Sequence, residues 1–408
     1  MDEFSPKSQF EFDFSTTTQS VHGKNEANAP YNALHTPIVH TATYRFDTTQ
    51  NLLDYMEQKT WGGGANRVEY ARYGNPTIQD VEDKLALLDH GANAILFSSG
   101  MNAITTLLLT VLRAGQHLVM TDDCYSRTRQ FALQWLKRFN IDVSIVPMGD
   151  YEAMEQAIIP QRTRFIISES PTNPFLRIVD LPRIVDIARR HQVMTMIDST
   201  FATPINQKPL DFGVDFVVHS ATKYLSGHND ILAGVLVGAD AGRMKVIRDG
   251  RGMLGGMIDP NSAYLLSRGL KTLGIRVQQQ NHTAQHVAEF LENHPQVERV
   301  WYPGLASHPD HAVATQQMKG FGGVVSFMIR GDMATTRRFI DGLKIPFIAP
   351  SLGGVESLIE QPAVISYYDK EPEERLALGM TDNLVRFAVG IEETNDILSD
   401  LAQALEQL

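Results

Sequence analysis

The chain has 408 residues, enough for two or three domains, and its 43% hydrophobic and 20% charged residues are typical of a globular protein with a sizeable core. Its 47 Asp and Glu residues against 36 Lys and Arg residues give a net charge of −11, which argues against a general nucleic-acid or anionic-membrane binder. Cys124 is the one cysteine, so the composition excludes an intrachain disulfide and a zinc site built from cysteines.

Residues 1 to about 60 are polar and irregular, and they show no sustained helical or strand period. Such a segment is either disordered or an arm that another part of an assembly orders. The glycines at 62–64 add a flexible joint. We therefore predict an N-terminal arm over residues 1–75 that contributes to a neighbouring subunit.

Short apolar strands alternate with helices from Pro76 to about residue 260. Helices are predicted over about 76–88, Met101–Leu112, Thr128–Phe139 and Leu181–Gln192. Strands are predicted at Ala94–Phe97, His117–Met120, Val143–Pro147, Arg164–Ile167, Val193–Ile197, Phe216–His219 and Gly234–Val237. Because these strands are apolar on both faces, we predict an α/β domain with a mainly parallel sheet over residues 76–260.

The pattern changes after about residue 260. A long helical stretch is predicted from Ser262 to His294, where Pro295 closes it. Predicted strands at Val324–Ile329 and Leu384–Val389 and helices at Thr335–Leu343 and from Asn395 follow. Residues 261–408 are therefore predicted to form a smaller α+β domain.

Polar side chains follow four strands of the predicted large sheet, and ligands in such sheets bind at the carboxyl ends of strands. These segments are Ser98–Met101, Glu169–Pro174, Asp198–Thr200 and His219–Lys223. We expect them to meet in one site.

The residue types at these strand ends suit an anionic cofactor. A Ser-Ser-Gly turn that opens a helix offers N–H groups to a phosphate, and Gly100 permits close approach. A buried Lys223 would become a nucleophilic amine, and Asp198 would keep a ring nitrogen protonated. Taken singly, these residues are an ordinary turn, a surface lysine and a helix cap. Together they predict pyridoxal 5′-phosphate (PLP), which is held by a Schiff-base lysine and an Asp on its pyridinium nitrogen.

Four motifs resemble the Cys/Met-metabolism family of PLP-dependent enzymes. They are YARYGNPT at 70–77, ESPTNP at 169–174, HSATKYLSGHND at 219–230 and SLGGVES at 351–357. The resemblance extends from about residue 30 to the end of the chain. It implies an α/β fold-type-I PLP-dependent transferase fold, which is aminotransferase-like with a mainly parallel sheet, an N-terminal arm and a smaller α+β C-terminal domain.

The resemblance also implies roles for individual residues. Lys223 is the lysine that forms the Schiff base, and Tyr125 stacks on the cofactor and exchanges protons with the substrate amine; these two are the predicted catalytic residues. Arg386, helped by Ser351, is expected to clamp the α-carboxylate of an amino-acid substrate. The implied cofactor contacts are Gly100, Met101, Ser220 and Thr222 at the phosphate, Asp198 at the pyridinium nitrogen, Asn173 near the phenolic oxygen, and Tyr70 and Arg72 from a neighbouring subunit.

Three features distinguish among the activities of this family. The reactive cysteine of methionine γ-lyases is replaced by Arg127, and the glutamate of succinylhomoserine-using enzymes by Pro350. The strings RVQQQN at 276–281 and IPFIAPS at 345–351 resemble plant-type cystathionine γ-synthases, whose leaving group is phosphate. Arg127 and Arg129 either bind such an anionic γ-substituent or are solvated surface residues that pair with nearby aspartates.

The predicted function is γ-replacement on an activated homoserine (O-phospho- or O-acyl-L-homoserine) with cysteine, which gives cystathionine. The alternatives are a γ-lyase of a homoserine-derived or sulfur amino acid, an O-acylhomoserine sulfhydrylase, and a non-catalytic PLP-binding regulator. The expected ligands are small amino acids and the expected assembly is a homotetramer, a dimer of dimers. We expect no metal, nucleic acid or membrane partner and a cytoplasmic location, since neither a leader nor an apolar run of about 18 residues is evident.

Overall fold

The computed structural model describes residues 14–23, 32–61 and 67–408. Its larger sheet has seven strands in the order β1-β7-β6-β5-β4-β2-β3. β7 is antiparallel to both of its neighbours, and the other strand pairs are parallel. The prediction of a mainly parallel sheet is therefore confirmed. The strands are β1 (Asn93–Phe97), β2 (His117–Thr121), β3 (Asp142–Val146), β4 (Thr163–Glu169), β5 (Met194–Asp198), β6 (Phe216–His219) and β7 (Gly234–Gly238).

Helices cover both faces of this sheet, as the apolar strands require. Asn75 begins the first of them, because its Oδ1 accepts hydrogen bonds from the N–H groups of Thr77 (2.9 Å) and Ile78 (3.3 Å). The helices of this part are α3 (Pro76–Leu88), α4 (Gly100–Val111), α5 (Ser126–Gln130), α6 (Tyr151–Gln156), α7 (Leu181–His191), α8 (Thr203–Asn206) and α9 (Ala241–Leu254).

A second sheet of five strands, in the order β10-β11-β12-β9-β8, forms the C-terminal part. Only its β10–β11 pair is parallel. The strands are β8 (Val297–Trp301), β9 (Val324–Ile329), β10 (Phe347–Ile348), β11 (Leu358–Glu360) and β12 (Leu384–Ala388). The helices are α10 (Pro260–Leu270), α11 (Leu273–Glu292), α12 (His311–Gln317), α13 (Met333–Gly342), α14 (Pro362–Ile365), α15 (Pro372–Ala377) and α16 (Thr394–Leu405). The domain boundaries at 75 and 260 stay predictions.

The N-terminal segment is more regular than its composition indicated. Two helices, α1 (Thr16–His22) and α2 (Thr49–Trp61), lie in the region predicted to lack helical periodicity. α1 packs against α3 and α11 of its own chain. In α2 only Tyr55 is buried, so no apolar stripe marks this helix in the sequence. The predicted glycine joint at 62–64 lies outside the described residues.

Two predicted helices are wrong in detail. The stretch Ser262–His294 consists of α10 and α11, and the carbonyl of Gly269 at the break accepts a hydrogen bond from Arg276 (2.9 Å). The predicted helix Thr128–Phe139 begins earlier, at α5, and changes to π geometry over Phe131–Trp135 and to 3₁₀ geometry over Leu136–Phe139. Among the described residues, no helix is long and apolar enough to cross a membrane.

Candidate active site

The carboxyl ends of the central parallel strands border a cavity of about 310 Å³. The second sheet closes its far side with residues from β11 and β12 and the loop before β11. Ten of the predicted site residues line this one cavity: Gly100, Met101, Tyr125, Asn173, Asp198, Ser220, Thr222, Lys223, Ser351 and Arg386. The expectation that the strand ends meet is confirmed.

The start of α4 forms one wall of the cavity. Ser99 caps the helix, since its Oγ accepts a hydrogen bond from the N–H of Asn102 (3.1 Å). Gly100 lies against Ser220, and a Cβ added to Gly100 would be 3.1 Å from the Ser220 Cα. The first N–H groups of α4 therefore meet the loop after β6 at close range, which is the geometry of an anion site.

Thr222 also lines the cavity, but its hydroxyl is bonded to the backbone of Ala233. Its Oγ1 accepts from the Ala233 N–H (2.9 Å) and donates to the Ala233 carbonyl (3.2 Å). This pair of bonds fixes the two ends of the loop between β6 and β7. The Thr222 hydroxyl thus donates its hydrogen bond to a carbonyl in this structure, whereas a phosphate contact would require it to donate into the cavity.

Asp198 ends β5 and lies on the cavity wall. Its Oδ1 accepts hydrogen bonds from the N–H (3.0 Å) and the hydroxyl (2.6 Å) of Thr200. The Thr200 Oγ1 in turn accepts from the Ser220 N–H (2.8 Å). Burial raises the pKa of Asp198, and the two bonds from Thr200 oppose that rise. Sequence reasoning missed Thr200 as an orienting residue, although its position two residues after Asp198 is typical of such a bond.

Lys223 is half-buried, and its Nζ donates a hydrogen bond to the Ser351 Oγ (2.7 Å). Burial lowers the pKa of Lys223 to about 8, and the positive charge of Arg386 lowers it further while Glu360 opposes it. A larger fraction of the amine is therefore neutral near neutral pH than at an ordinary surface lysine. This is the property that a nucleophilic lysine needs.

Arg386 is buried and its guanidinium has three polar partners. It donates to the Asn173 Oδ1 (3.1 Å) and the Ser351 carbonyl (2.8 Å), and it lies 3.0 Å from the Glu360 Oε1. Ser351 has a φ of 117°, a strained conformation for a residue with a Cβ, and strain of this kind is concentrated at functional sites. Sequence reasoning missed Glu360, a buried carboxylate directly beside this arginine.

Tyr125 is held at the cavity mouth through its backbone. Its N–H donates to the Glu169 Oε2 (2.7 Å), and 43% of the residue is exposed. Burial raises the pKa of Glu169 well above its usual value, and the negative charge of Asp198 on the adjacent strand raises it further.

Four predicted contacts, Tyr70, Arg72, Arg127 and Arg129, lie outside this cavity. Tyr70 and Arg72 line a separate cavity of about 460 Å³, where Arg72 donates to the Gly252 carbonyl (3.1 Å). Arg127 is exposed and donates to Gln130 (2.8 Å), so the structure does not bring it to Lys223.

Arg129 lines a third cavity, of about 610 Å³, which shares Asn173 with the Lys223 cavity. Burial raises the pKa of Asp123 in this third cavity to about 7. Among the described residues, no group of three or more potential metal ligands is present.

The profile of the Cys/Met metabolism PLP-dependent enzymes matches residues 17–406, nearly the whole chain. The chain belongs to this family. Its cofactor is PLP and it acts on small amino-acid substrates. The family's fold-type-I architecture agrees with the two sheets described above.

Three named proteins illustrate the similarity. Cystathionine gamma-synthase 1, chloroplastic, of Arabidopsis thaliana is 48% identical over 379 residues, which cover 92% of this chain but 66% of that protein. Cystathionine gamma-lyase of Bacillus subtilis is 39% identical over 391 residues, 96% of this chain and 99% of that protein. The crystal structure of cystathionine gamma synthase from Xanthomonas oryzae pv. oryzae, in complex with aminoacrylate and cysteine, matches with a TM-score of 0.89 at 35% identity over 97% of this chain and 99% of that one.

The residues of the Lys223 cavity fit PLP on their own chemistry. The start of α4 and Ser220 offer donors for a phosphate, and only glycine at 100 leaves room for the close approach of these two segments. Asp198 supplies an acceptor for a pyridinium N–H, and Lys223 supplies an amine with a lowered pKa.

Proposed function

We propose that this chain is a PLP-dependent γ-replacement enzyme that joins an activated homoserine to cysteine and makes cystathionine. One observation carries the proposal: the Lys223 amine and the Arg386 guanidinium face one cavity and are bridged by the side chain and the carbonyl of Ser351 (2.7 and 2.8 Å). The amine that would act as nucleophile and the guanidinium that would bind a carboxylate therefore contact the same residue, Ser351. The 48% identity to a protein named cystathionine gamma-synthase supports γ-replacement.

The strand ends hold the cofactor in this proposal. The N–H groups of Gly100 and Met101 and the Ser220 hydroxyl bind the phosphate, and Thr222 closes the same loop. Asp198 would accept a hydrogen bond from the pyridine nitrogen, Tyr125 would stack on the ring, and Asn173 would lie near the phenolic oxygen. When bound, PLP supplies an electron sink that makes the protons on Cα and Cβ of the substrate acidic.

The protein groups then bind substrate and move protons. Arg386, with Ser351 beside it, holds the α-carboxylate and so fixes Cα next to Lys223. Tyr125 takes a proton from the substrate amine, and Lys223 moves protons from Cα and Cβ as a general base. The C–O bond at Cγ breaks, with the substituent leaving as an anion, and the cysteine sulfur bonds to Cγ as its thiol proton is lost to solvent. Lys223 then returns protons to Cβ and Cα, which gives cystathionine.

We propose O-phosphohomoserine as the activated substrate. Arg129 supports this choice because its guanidinium lines the cavity that adjoins the active site at Asn173. Arg127 is exposed on the surface of α5, so we assign the γ-phosphate to Arg129. Arg127 was predicted as a partner in this role, and the geometry of this chain does not support it.

The proposal includes a dimer of dimers in which each arm reaches a neighbouring active site. Tyr70 is 41% exposed, and Arg72 stacks on Tyr70 and Tyr73 in a cavity of its own, away from Lys223 of the same chain. The resemblance to the family implies that Tyr70 and Arg72 bind the cofactor phosphate, but they do not line the Lys223 cavity of their own chain. This supports a contact with the phosphate in a neighbouring subunit. We further propose a cytoplasmic location, since a single buried cysteine suits a reducing compartment.

A γ-lyase is the second candidate. The 39% identity to a protein named cystathionine gamma-lyase, which extends over 99% of that protein, favours it. The two activities would differ after the γ-substituent has left: in γ-replacement a thiol adds at Cγ, whereas in the lyase no nucleophile adds there and hydrolysis at the C=N carbon releases ammonia and ketobutyrate.

A product assay tests the proposal. The holoenzyme is incubated with phospho-, acetyl- or succinyl-homoserine, each with cysteine, with sulfide and without a thiol. We expect cystathionine from phosphohomoserine and cysteine, and loss of turnover in Lys223→Ala but not in the exposed-lysine control Lys344→Ala. Thiol-independent ketobutyrate would favour the lyase, and homocysteine from an acyl ester and sulfide the sulfhydrylase. Turnover by Lys223→Ala would refute the proposed chemistry.

A further inference from the structure

A fully buried histidine lies directly behind the cavity. His219 ends β6, and its side chain is 1% exposed. Its Nε2 lies 3.0 Å from the Asp89 Oδ2, and its Nδ1 lies 3.1 Å from the carbonyl oxygen of Ser199. Asp89 ends α3 and is completely buried. Both ring nitrogens therefore face oxygen atoms at hydrogen-bond distance.

These contacts determine where protons lie. A carbonyl oxygen only accepts, so the Nδ1 of His219 carries a proton. Asp89 either donates a proton to Nε2 or is ionised and accepts one from it. The Lys208 Nζ donates to the carbonyl of Leu88, next to Asp89, so a second cationic group lies beside this carboxylate, and we take Asp89 as the acceptor. His219 then carries protons on both nitrogens.

Charged groups of both signs lie around this pair. The titratable groups that face it are Asp89 at the end of α3, Asp198 at the end of β5 and Lys208 before the 3₁₀ helix Pro209–Phe212. Within this set, His219 and Lys208 are the two groups that can carry positive charge beside the two carboxylates, and a neutral His219 would leave Lys208 as the one cation among them. Beyond the set, Asp211 and Lys319 act on Lys208, and Glu169 lies near Asp198. The pKa of His219 is raised because Asp89 and Asp198 together outweigh the effect of burial.

His219 is connected to Asp198 by a charge interaction and also by hydrogen bonds to the backbone and side chain of the turn Ser199–Thr200. The Ser199 carbonyl belongs to the peptide unit between Ser199 and Thr200, and Thr200 is the residue that binds the Asp198 Oδ1 (3.0 and 2.6 Å). A hydrogen bond from the His219 Nδ1 thus fixes the turn that orients the Asp198 carboxylate. We infer that His219 is a positioning residue, held as a buried imidazolium by Asp89, that orients Asp198 and keeps it ionised toward the pyridine nitrogen of the cofactor.

The inference rests on the proposed contact between Asp198 and the cofactor ring, and its first test does not. Nitrogen NMR of the histidine-labelled apoenzyme reports the protonation of each ring nitrogen, and the His219→Gln variant identifies the His219 signals. We expect both nitrogens of His219 to stay protonated well above an ordinary histidine pKa of about 6.5. One unprotonated nitrogen near neutral pH would put the proton on Asp89 and overturn the inference.

Asp89→Asn is the decisive variant because it preserves the geometry. The Asn amide can donate to Nε2 while Nδ1 still donates to Ser199, so the ring stays in position but is neutral. We expect the Nε2 proton to disappear in the NMR spectrum. In the holoenzyme we expect the midpoint of the cofactor absorbance titration, which reports the imine nitrogen at Lys223, to move to higher pH by about one unit. A ring nitrogen without an ionised partner is less often protonated, and the loss of its positive charge makes the imine nitrogen easier to protonate.

A matched control separates this effect from a general loss of stability. Asp211 forms a similar contact with His90 (2.8 Å), but at the surface, where both side chains are nearly half exposed. Asp211→Asn should leave the titration midpoint and the His219 signals unchanged. An unchanged midpoint in Asp89→Asn would overturn the inference. A wild-type protein that binds no PLP would instead refute the proposed function, and the apoenzyme spectrum would still decide the protonation state of His219.

Discussion

The Lys223 amine lies near the Arg386 cation and is hydrogen-bonded to the Ser351 hydroxyl. Burial and the charge of Arg386 lower its pKa to about 8, and the Ser351 Oγ accepts a hydrogen bond from it at 2.7 Å. A lysine with this environment binds an aldehyde at a pH where an ordinary lysine is almost entirely protonated. The strand end after β6 therefore provides a nucleophile before any cofactor is present.

The rate at which the apoenzyme combines with PLP should follow this pKa. Because the pKa is lowered, the neutral fraction increases through pH 8, and at pH 7 about one tenth of the amine is already neutral, compared with well under a thousandth for an ordinary lysine. We expect a half-maximal rate near pH 8, measured by the growth of cofactor absorbance after mixing. A midpoint near the ordinary value of 10.5 would contradict the environment described for Lys223.

Arg386 should be needed for the substrate carboxylate and not for the cofactor. In Arg386→Lys the charge remains, but the planar fork that contacts Asn173 and Ser351 is lost. Loss of a charge-assisted contact of about 1.5–3 kcal/mol predicts a 10- to 100-fold higher KM for the amino-acid substrate.

Steady-state kinetics measure this KM, and Arg338→Lys on the exposed face of α13 is the control. Unchanged KM with reduced PLP affinity would contradict the assignment of Arg386 to the substrate.

Some site residues were predictable and others were not. Lys223, Asp198 and Gly100 follow strands directly, and strand ends of a parallel sheet share one edge, so their meeting follows from topology. Glu360 lies on β11 of the second sheet, and its contact with Arg386 pairs two strands that are distant in the sequence. Arg127 and Arg129 are two residues apart at the start of a short helix, and only the fold distinguishes the exposed one from the one in a cavity.

At the scale of elements, the strands of the large sheet were predictable because each contains a short apolar run, and most of them are buried on both faces, with the edge strand β3 the least buried. The reversal of β7 was not predicted because its apolar run resembles the others, although the absence of a helix between β6 and β7 is typical of an antiparallel pair. This reversal has a consequence for the site: β7 passes beside β1 with Gly234 next to the turn that opens α4.

Gly234 allows this approach, and its replacement should disturb the phosphate end of the site. A Cβ at 234 would lie 2.1 Å from the Ser99 carbonyl oxygen and 2.5 Å from the Gly100 nitrogen, both backbone atoms. We expect Gly234→Ala to cost about 1–3 kcal/mol of stability and to weaken PLP binding about 10-fold or more.

Thermal unfolding and PLP titration measure the two effects. Gly242→Ala is the control, because its Cβ would meet only the Asp240 side chain, at 3.3 Å. Tight PLP binding by Gly234→Ala would contradict the proposed phosphate contacts at the start of α4.

The helix break between α10 and α11 depends on side chains that no local pattern reveals. Arg276, in the second turn of α11, donates to the carbonyls of Gly269 (2.9 Å) and Tyr224 (2.8 Å) and so connects the break to the helical turn after Lys223. The sequence period continues across Lys271 and Thr272 without interruption. A single long helix was therefore the natural prediction, and the buried guanidinium of Arg276 satisfies a carbonyl at the break that the sequence pattern does not reveal.

At the scale of the whole molecule, the cavity needs both sheets. The large sheet supplies Asp198 and Lys223, and the second sheet supplies Arg386 and Glu360. Tyr70 and Arg72 are remote from this cavity within one chain, which is why we propose that they act on a neighbouring subunit.

Mixing inactive variants tests this sharing. A Lys223→Ala subunit and an Arg72→Ala subunit, dissociated and reassembled together, would form mixed dimers in which one of the two sites has all its wild-type residues. We expect up to about one quarter of the wild-type activity from random mixing, measured against each variant reassembled alone. Activity that stays at the level of the separate variants would contradict the shared site.

The proposed function depends on a covalent bond between PLP and the amine of Lys223. Borohydride reduction of the holoenzyme, followed by peptide mass spectrometry, locates the attached cofactor directly. We expect a single pyridoxyl group on Lys223 and none on the exposed Lys344. Modification of a different lysine, or a protein that takes up no cofactor from a PLP solution, would contradict it.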